Sequence, residues 1–164
     1  MSPKKQISNN ELQCETKNEL AGRLLALDPG DKRVGAAISD EMHLTVRPLR
    51  ALRHTNWKKL LSDVKELLKE FDAKALVIGL PLSLDGIERS SAQEARQLAR
   101  KFALSLDIPV FLQDERLTSR EAEDSMRAAG RRTAELRQLL DSESAAIILR
   151  DFIGDPANHL KVKP

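Results

Sequence analysis

The amino-acid sequence predicts an α/β protein with a mixed five-stranded sheet, in which an antiparallel meander is extended by parallel strands and flanked by helices. Two observations predict this class. Three strand-like segments follow one another with short connections, which favours a meander, and strand-like and helical segments then alternate, which favours parallel strands joined by helical crossovers. With 164 residues, 41% of them hydrophobic, the chain is long enough for one domain with its own core.

The first three strands are expected at 24–28, 33–39 and 44–53. The first is an apolar run that ends at Asp28, a Pro-Gly turn follows it, and a second apolar run begins after two basic residues. Two strands joined by a tight turn have this pattern, although a surface hairpin with a turn-forming aspartate has it too. The third segment alternates only imperfectly and is the weakest of the three strands.

In the second half of the domain, segments with helical spacing of apolar residues alternate with short strand-like segments. Residues 56–71 carry apolar side chains at helical spacing, whereas 75–80 is a short, wholly apolar run typical of a strand buried on both faces. Ser90, with Gln93 three residues later, is expected to cap a helix. The expected helices are 56–71, 90–106, 118–130 and 141–153, and the expected further strands are 75–80 and 109–113.

The two ends of the chain are polar. Residues 1–21 are expected to be a flexible N-terminal tail and 155–164 a C-terminal tail, which leaves 22–154 as the folded domain. No apolar run approaches membrane-spanning length, and no apolar segment follows Lys4 and Lys5, so a cytoplasmic protein without membrane association is expected. The single Cys14 excludes an intrachain disulfide and a multi-cysteine metal site.

Acidic residues follow the predicted strands at positions where α/β sheets usually carry their functional sites. Asp28 ends the first strand, and Asp114 and Glu115 follow the last predicted one, at carboxyl ends where ligands bind in such sheets. Asp141 is expected to begin the final helix, from where it could face them. Each acid alone could serve as a turn former, an exposed charge or a helix cap. Together, three carboxylates suit one or two magnesium ions acting on a phosphodiester.

Four ordered blocks of sequence carry a family resemblance. They are residues 26–37, 77–86, 114–122 and 141–149. The chain resembles the YqgF/RuvX family of Holliday junction resolvase-like proteins, which are regarded as nucleases for the precursor of small-subunit ribosomal RNA. The resemblance implies an RNase H-like fold for 22–154.

The same resemblance implies a site. Asp28, Glu115 and Asp141 match the family's catalytic acids and would hold Mg²⁺ or Mn²⁺, although the choice between Asp114 and Glu115 stays open. Asp31 stands where many relatives carry threonine or another small residue, and it is expected to face solvent.

Basic residues near these acids are candidates for phosphate binding. The net charge is only +2, so nucleic-acid binding would depend on local patches rather than on a global field. Aromatic residues make up only 3% of the chain, which favours recognition of backbone and shape over base stacking. A second group, which includes Arg47, Arg50 and Arg53, is expected to be ordinary solvated surface. The candidate nucleic-acid-binding residues are Lys32, Arg33, Arg116, Arg120, Arg131 and Arg132.

The favoured function is a metal-dependent phosphodiesterase, a nuclease that processes the precursor of 16S rRNA in ribosome biogenesis. The alternatives are a Holliday junction resolvase acting on branched DNA and a non-catalytic nucleic-acid-binding module on the same fold. A nucleotide-binding ATPase or sugar kinase also uses an Asp-x-Gly hairpin but needs a second related domain. The loop 79–86 is either a substrate-facing rim or a tight connection, and the chain is either a monomer or a homodimer.

Overall fold

A computed structural model of the chain describes residues 20–83, 85, 88–115 and 134–164, with only the backbone given at 134–141 and 158. The predicted helix at 118–130 and nearly all of the predicted N-terminal tail lie outside these residues. The remainder forms a mixed sheet with helices on both faces, so the predicted α/β class is confirmed.

The sheet combines a meander with parallel strands. Antiparallel pairing joins β1 to β2, and parallel pairing joins β1 to β5 and β5 to β6. The strand order is β3-β2-β1-β5-β6-β7, and β4 also pairs with β2. The strands are β1 (Arg23–Pro29), β2 (Arg33–Ser39), β3 (Val46–Pro48), β4 (Leu52–Arg53), β5 (Ala73–Leu80), β6 (Val110–Asp114) and β7 (Leu160–Lys161).

Two differences make this a seven-stranded sheet in the described part of the chain, rather than the predicted five. The expected third strand is split into β3 and β4, and its first piece ends at Pro48, which has no N–H to donate to a ladder. The expected C-terminal tail is wrong for 160–161, which pair with β6. The N–H of Val162 then donates to the Val110 carbonyl at 2.8 Å, so the last residues belong to the sheet edge.

The α-helices of the described residues are α1 (Trp57–Glu70), α2 (Ser90–Ser105) and α3 (Ala134–Gly154). The Asn56 side chain caps α1 by accepting from the Lys59 N–H at 2.9 Å. Ser90 is the first residue of α2 rather than its cap, which is Arg89 and makes no side-chain capping bond. No helix in the described ranges is long and apolar enough to cross a bilayer.

Two apolar clusters cover the two faces of the sheet. Alternate strand residues point to opposite faces, so Leu25 and Leu27 pack against α1 and α2. Leu24 and Ala26 pack instead against α3. These two sides are called the α1–α2 face and the α3 face below. Because helices cover both faces, the central strands are apolar at nearly every position, as 75–80 predicted.

Candidate functional site

Asp28 lies at the carboxyl end of β1, on the α3 face. It is half-buried, and its cross-strand partner on β2 is Gly35. On the other side Leu27 is paired with Ile78 of β5, so one further step of this register brings Asp28 beside Gly79. Strand alternation puts both glycines on the same face as Asp28. The carboxylate therefore has neighbours without side chains on either side.

The side chain of Glu115 occupies the space above Gly79, one of these two glycines. Its N–H donates to the Leu80 carbonyl at 3.1 Å, which continues the β5–β6 pairing for one more residue. A methyl group at Gly79 would collide with the Glu115 carboxylate and would lie only 2.6 Å from Cδ1 of Ile148, a residue of α3. Glu115 is only 7% exposed, and its carboxylate thus lies over β5, on the side of β6 that faces β1.

The alternation along β6 separates the two neighbouring acids. Leu112 packs in the cluster of the α1–α2 face, and Asp114 follows it by two residues on that side. Phe111 packs in the cluster of the α3 face, and Glu115 has the same parity. Glu115, rather than Asp114, therefore shares a face with Asp28.

The third predicted acid lies on α3. Asp141 is inside this helix and not at its start, because the helix begins at Ala134, and its side chain is outside the described atoms. The next residue, Ser142, is fully buried, and its Oγ accepts from the Ala36 N–H at 3.5 Å. Since Ala36 adjoins Gly35, this part of α3 passes next to the strand that faces Asp28. Among the described side chains, which do not include Asp141, no group of three metal-ligating residues occurs.

This arrangement fits a divalent cation with oxygen ligands. Two carboxylates from neighbouring regions of the sheet share one face, and the glycine between them leaves room that a side chain would fill. Hard cations such as Mg²⁺ take one or two protein carboxylates and complete their shell with water and phosphate oxygens. Asp28 and Glu115 would supply these ligands.

A short turn joins the end of β1, where Asp28 lies, to the first basic residues, Lys32 and Arg33. The Gly30 N–H donates to the Arg33 carbonyl at 3.0 Å and closes the turn. His54, just after β4, holds the turn from outside: its N–H donates to the Lys32 carbonyl at 3.0 Å, and its Nδ1 lies 2.9 Å from the Gly30 carbonyl oxygen. The sequence gives no sign of this role, because both partners of His54 are backbone atoms more than twenty residues away.

The remaining predicted residues divide by position. Lys32 is exposed and Arg33 half-buried at the mouth of the site. Asp31 is exposed, as expected, and lines a cavity of about 360 Å³ together with residues of α2. Arg116, Arg120, Arg131 and Arg132 lie outside the described residues.

Known proteins are similar to this chain in sequence and in fold. The model of the family described as "RuvX: Holliday junction resolvase" matches residues 22–155. A protein of Anaeromyxobacter sp. (strain Fw109-5), named "Putative pre-16S rRNA nuclease", is 40% identical over 131 residues, which cover 80% of this chain and 96% of that protein. A protein of the same name from Syntrophus aciditrophicus is 34% identical over 131 residues, covering 80% and 87% of the two chains.

Among solved structures, RuvC of T. thermophilus in complex with a Holliday junction substrate has a similar fold. The TM-score is 0.50 at 13% sequence identity, over 86% of this chain and 99% of that chain. The same protein without mention of a substrate superposes with a TM-score of 0.50 at 14% identity. This likeness identifies the mixed sheet and its helices as an RNase H-like fold.

Proposed function

The chain belongs to the RuvX family of Holliday junction resolvases, and from this premise we propose that it is a metal-dependent nuclease that processes the precursor of 16S rRNA. The relatives named as pre-16S rRNA nucleases support this choice of substrate, because they match 80% of the chain at 34–40% identity. Such a role would place the protein in the cytoplasm, where ribosomal RNA matures.

The observation that carries the proposal is the position of the Glu115 carboxylate over Gly79, on the face where Asp28 ends β1. We assign Asp28, Glu115 and Asp141 as the catalytic acids that hold Mg²⁺ or Mn²⁺. A divalent ion bound there would activate water and stabilise the leaving oxygen of a phosphodiester.

The protein's own groups supply binding and position. Burial of Glu115 between β5 and α3 restricts its carboxylate to one region. Lys32 and Arg33 would contact phosphates at the mouth of the site, because they follow the turn that carries Asp28. We expect the remaining candidate basic residues to extend this contact. They are Arg116, Arg120, Arg131 and Arg132.

Resolution of a four-way DNA junction is the second candidate, favoured by the description of the family. Both functions require the same acids and the same metal ion. They differ in assembly, since symmetric cleavage of a junction calls for two active sites and so for a homodimer, whereas a single cut in RNA can be made by a monomer.

The deciding experiment offers both substrates to the same preparation. Precursor 16S rRNA and a synthetic four-way junction are incubated with Mg²⁺, with Mn²⁺ and with EDTA, using the wild type and Asp28→Asn. We expect the wild type to cleave the RNA only with metal, and Asp28→Asn to leave it intact. Cleavage of the junction alone would identify a resolvase. Binding without cleavage of either substrate would identify a non-catalytic module.

A further inference from the structure

Two arginines face each other across the strands beside the candidate site. In the antiparallel pairing of β2 with β4, Arg33 is the direct partner of Arg53. Arg53 belongs to the basic group that the sequence assigned to ordinary solvated surface. The pairing places this exposed arginine next to a residue expected to bind nucleic acid.

Strand alternation also gives the face on which this pair lies. Val34 packs in the cluster of the α1–α2 face, so Arg33 and Gly35 point to the α3 face with Asp28. Leu52 packs against the same cluster as Val34, which turns Arg53 towards the α3 face as well. Arg33 lies two residues from Gly35 towards the turn, or about 7 Å along the strand. The pair therefore stands at the mouth of the site, on the side of the two carboxylates.

A directly opposed pair of like charges is unfavourable in a sheet. Arg53 is exposed and makes no ion pair within the described residues. The backbone nevertheless holds Arg53 opposite Arg33, because the next residue, His54, is hydrogen-bonded to the carbonyl groups of both Gly30 and Lys32. An anion between the two guanidinium groups would turn repulsion into attraction.

We propose that Arg33 and Arg53 form a phosphate clamp that positions the sugar–phosphate backbone of the nucleic-acid strand next to the cleaved bond. Each guanidinium can bind phosphate oxygens through two parallel N–H groups, a geometry that lysine lacks. This inference rests on the proposed nuclease function for its ligand. It adds Arg53 as a positioning residue that does not touch the reacting atoms.

Arg47 provides a matched control on the same side of the sheet. It is exposed, like Arg53, and lies on β3, which also pairs with β2. Its neighbour Val46 packs on the α3 face, so Arg47 points to the α1–α2 face, where its guanidinium lies 5.2 Å from the centre of the Phe71 ring. Replacing either arginine by glutamine removes one positive charge, but only Arg53 stands beside the site.

Binding is measured in the Asp28→Asn background, so that substrate stays intact, by fluorescence anisotropy of labelled precursor 16S rRNA and of a four-way junction over a series of salt concentrations. We expect Arg53→Gln to weaken binding of the cognate substrate roughly tenfold and to reduce the salt slope by about one. Arg53→Lys should recover part of the affinity, and Arg47→Gln should bind as the parent does. Thermal melts should show Arg53→Gln to be at least as stable as the parent.

Parental affinity and slope in Arg53→Gln would overturn the clamp, as would an equal loss in Arg47→Gln or failure of the parent to bind either nucleic acid. Cleavage by proteins with an intact Asp28 separates the two proposals. If the wild type cleaves neither substrate but Arg53→Gln still weakens binding selectively, the clamp stands and the nuclease function fails. If the wild type cleaves RNA and Arg53→Gln binds it normally, only the clamp fails.

Discussion

Asp28 lies between Gly35 and Gly79 on the neighbouring strands. The negative charge of its carboxylate is what would bind a metal ion. We predict that Asp28→Asn keeps the fold and lowers single-turnover cleavage in Mg²⁺ or Mn²⁺ by about a hundredfold or more, since several kcal/mol of transition-state stabilisation are lost with a metal ligand. Thermal stability should hold or rise slightly, because neighbouring negative charges repel when no metal is bound.

Asp107→Asn is the control for this variant. Asp107 is exposed and precedes β6, at the edge of the sheet opposite to the site, so the same loss of charge should leave cleavage unchanged. Asp40 is less suitable, because its Oδ1 accepts the N–H groups of Leu44 and Thr45 and so holds a turn. Near wild-type cleavage by Asp28→Asn would exclude its role as a metal ligand.

Gly79 limits what the site can tolerate. In Gly79→Ala the new methyl group would need the space of the Glu115 carboxylate and of Ile148 Cδ1. We predict a destabilisation of about 1–3 kcal/mol from overpacking, together with a loss of cleavage that persists at temperatures where the variant is fully folded. Melting curves and single-turnover rates measured on the same samples separate the two effects.

Gly154→Ala is its counterpart at the end of α3. Among the described residues, apart from its chain neighbours and the backbone of α3 itself, no atom lies within 4 Å of a methyl group at this position. Alanine is favoured over glycine by about 0.5–1 kcal/mol in a helix interior, and a smaller gain is expected at this last residue of the helix. Unchanged cleavage and equal or higher stability are expected. Full activity in Gly79→Ala would mean that the Glu115 side chain can act from another position.

At the scale of elements, the C-terminal segment is held by a half-buried histidine. The ring of His159 stacks on Phe152 of α3, with centroids 3.7 Å apart and planes 10° from parallel. Its Nε2 lies 2.6 Å from the Phe152 carbonyl oxygen. Burial lowers the pKa of His159 below its usual 6.5, because the charged ring would lose its hydration there.

This shift predicts a pH dependence of stability. Below pH 6.5 the unfolded chain binds a proton at residue 159 that the folded chain resists, so the contribution of His159 should fall as the pH drops towards its folded pKa. Burial raises the pKa of Asp151, so protonation of this carboxyl at lower pH favours the folded chain and opposes the effect of His159. The contribution of His159 is therefore measured as the difference in melting temperature between the wild type and a variant at that position.

We expect His159→Gln to melt below the wild type at about pH 7.5 and the gap between them to narrow by about pH 5.5. Thermal melts of both proteins across this range provide the test. Parallel curves for the two proteins would show that protonation of His159 has no effect on stability.

The elements differ in how far the sequence could predict them. Helix α1 and strand β5 were predictable, because helical spacing and an unbroken apolar run are local signals. The face of the sheet on which Glu115 lies was not predictable. The apolar residues of β6 pack on both faces, so their pattern does not indicate which face a following residue takes. β7 has two residues and is held through backbone pairing, so it leaves no periodicity to read. The room above Gly79 depends on the register of three strands, which only the folded chain defines.

For the whole molecule, charge is nearly balanced, with 27 basic and 25 acidic residues. Affinity for nucleic acid must then come from where the basic residues lie. We predict that replacing four of the candidate nucleic-acid-binding residues by glutamine weakens RNA binding and lowers the salt slope by about one for each phosphate that is no longer neutralised, while Asp28→Asn still binds. The four are Lys32, Arg33, Arg131 and Arg132.

A variant with the same net charge distinguishes local binding from a general field. It removes four exposed basic residues of α1 and α2, so it changes the total charge equally but leaves the surroundings of Asp28 intact. Binding curves at several salt concentrations should show little change for it. An equal loss of affinity in both quadruple variants would place the nucleic acid elsewhere. The residues replaced are Lys58, Lys65, Lys69 and Arg100.

The short outer strands also limit how far a second chain could extend the sheet. A long, unpaired edge of a sheet is a template on which another chain can add a strand and begin to aggregate. Here the outer side of β6 pairs with two-residue β7, and β2 is covered by two separate pieces, β3 and β4. Neither border of the described sheet offers a continuous row of backbone donors and acceptors. The apolar strands at its centre are thereby kept from spreading their pairing to a second molecule.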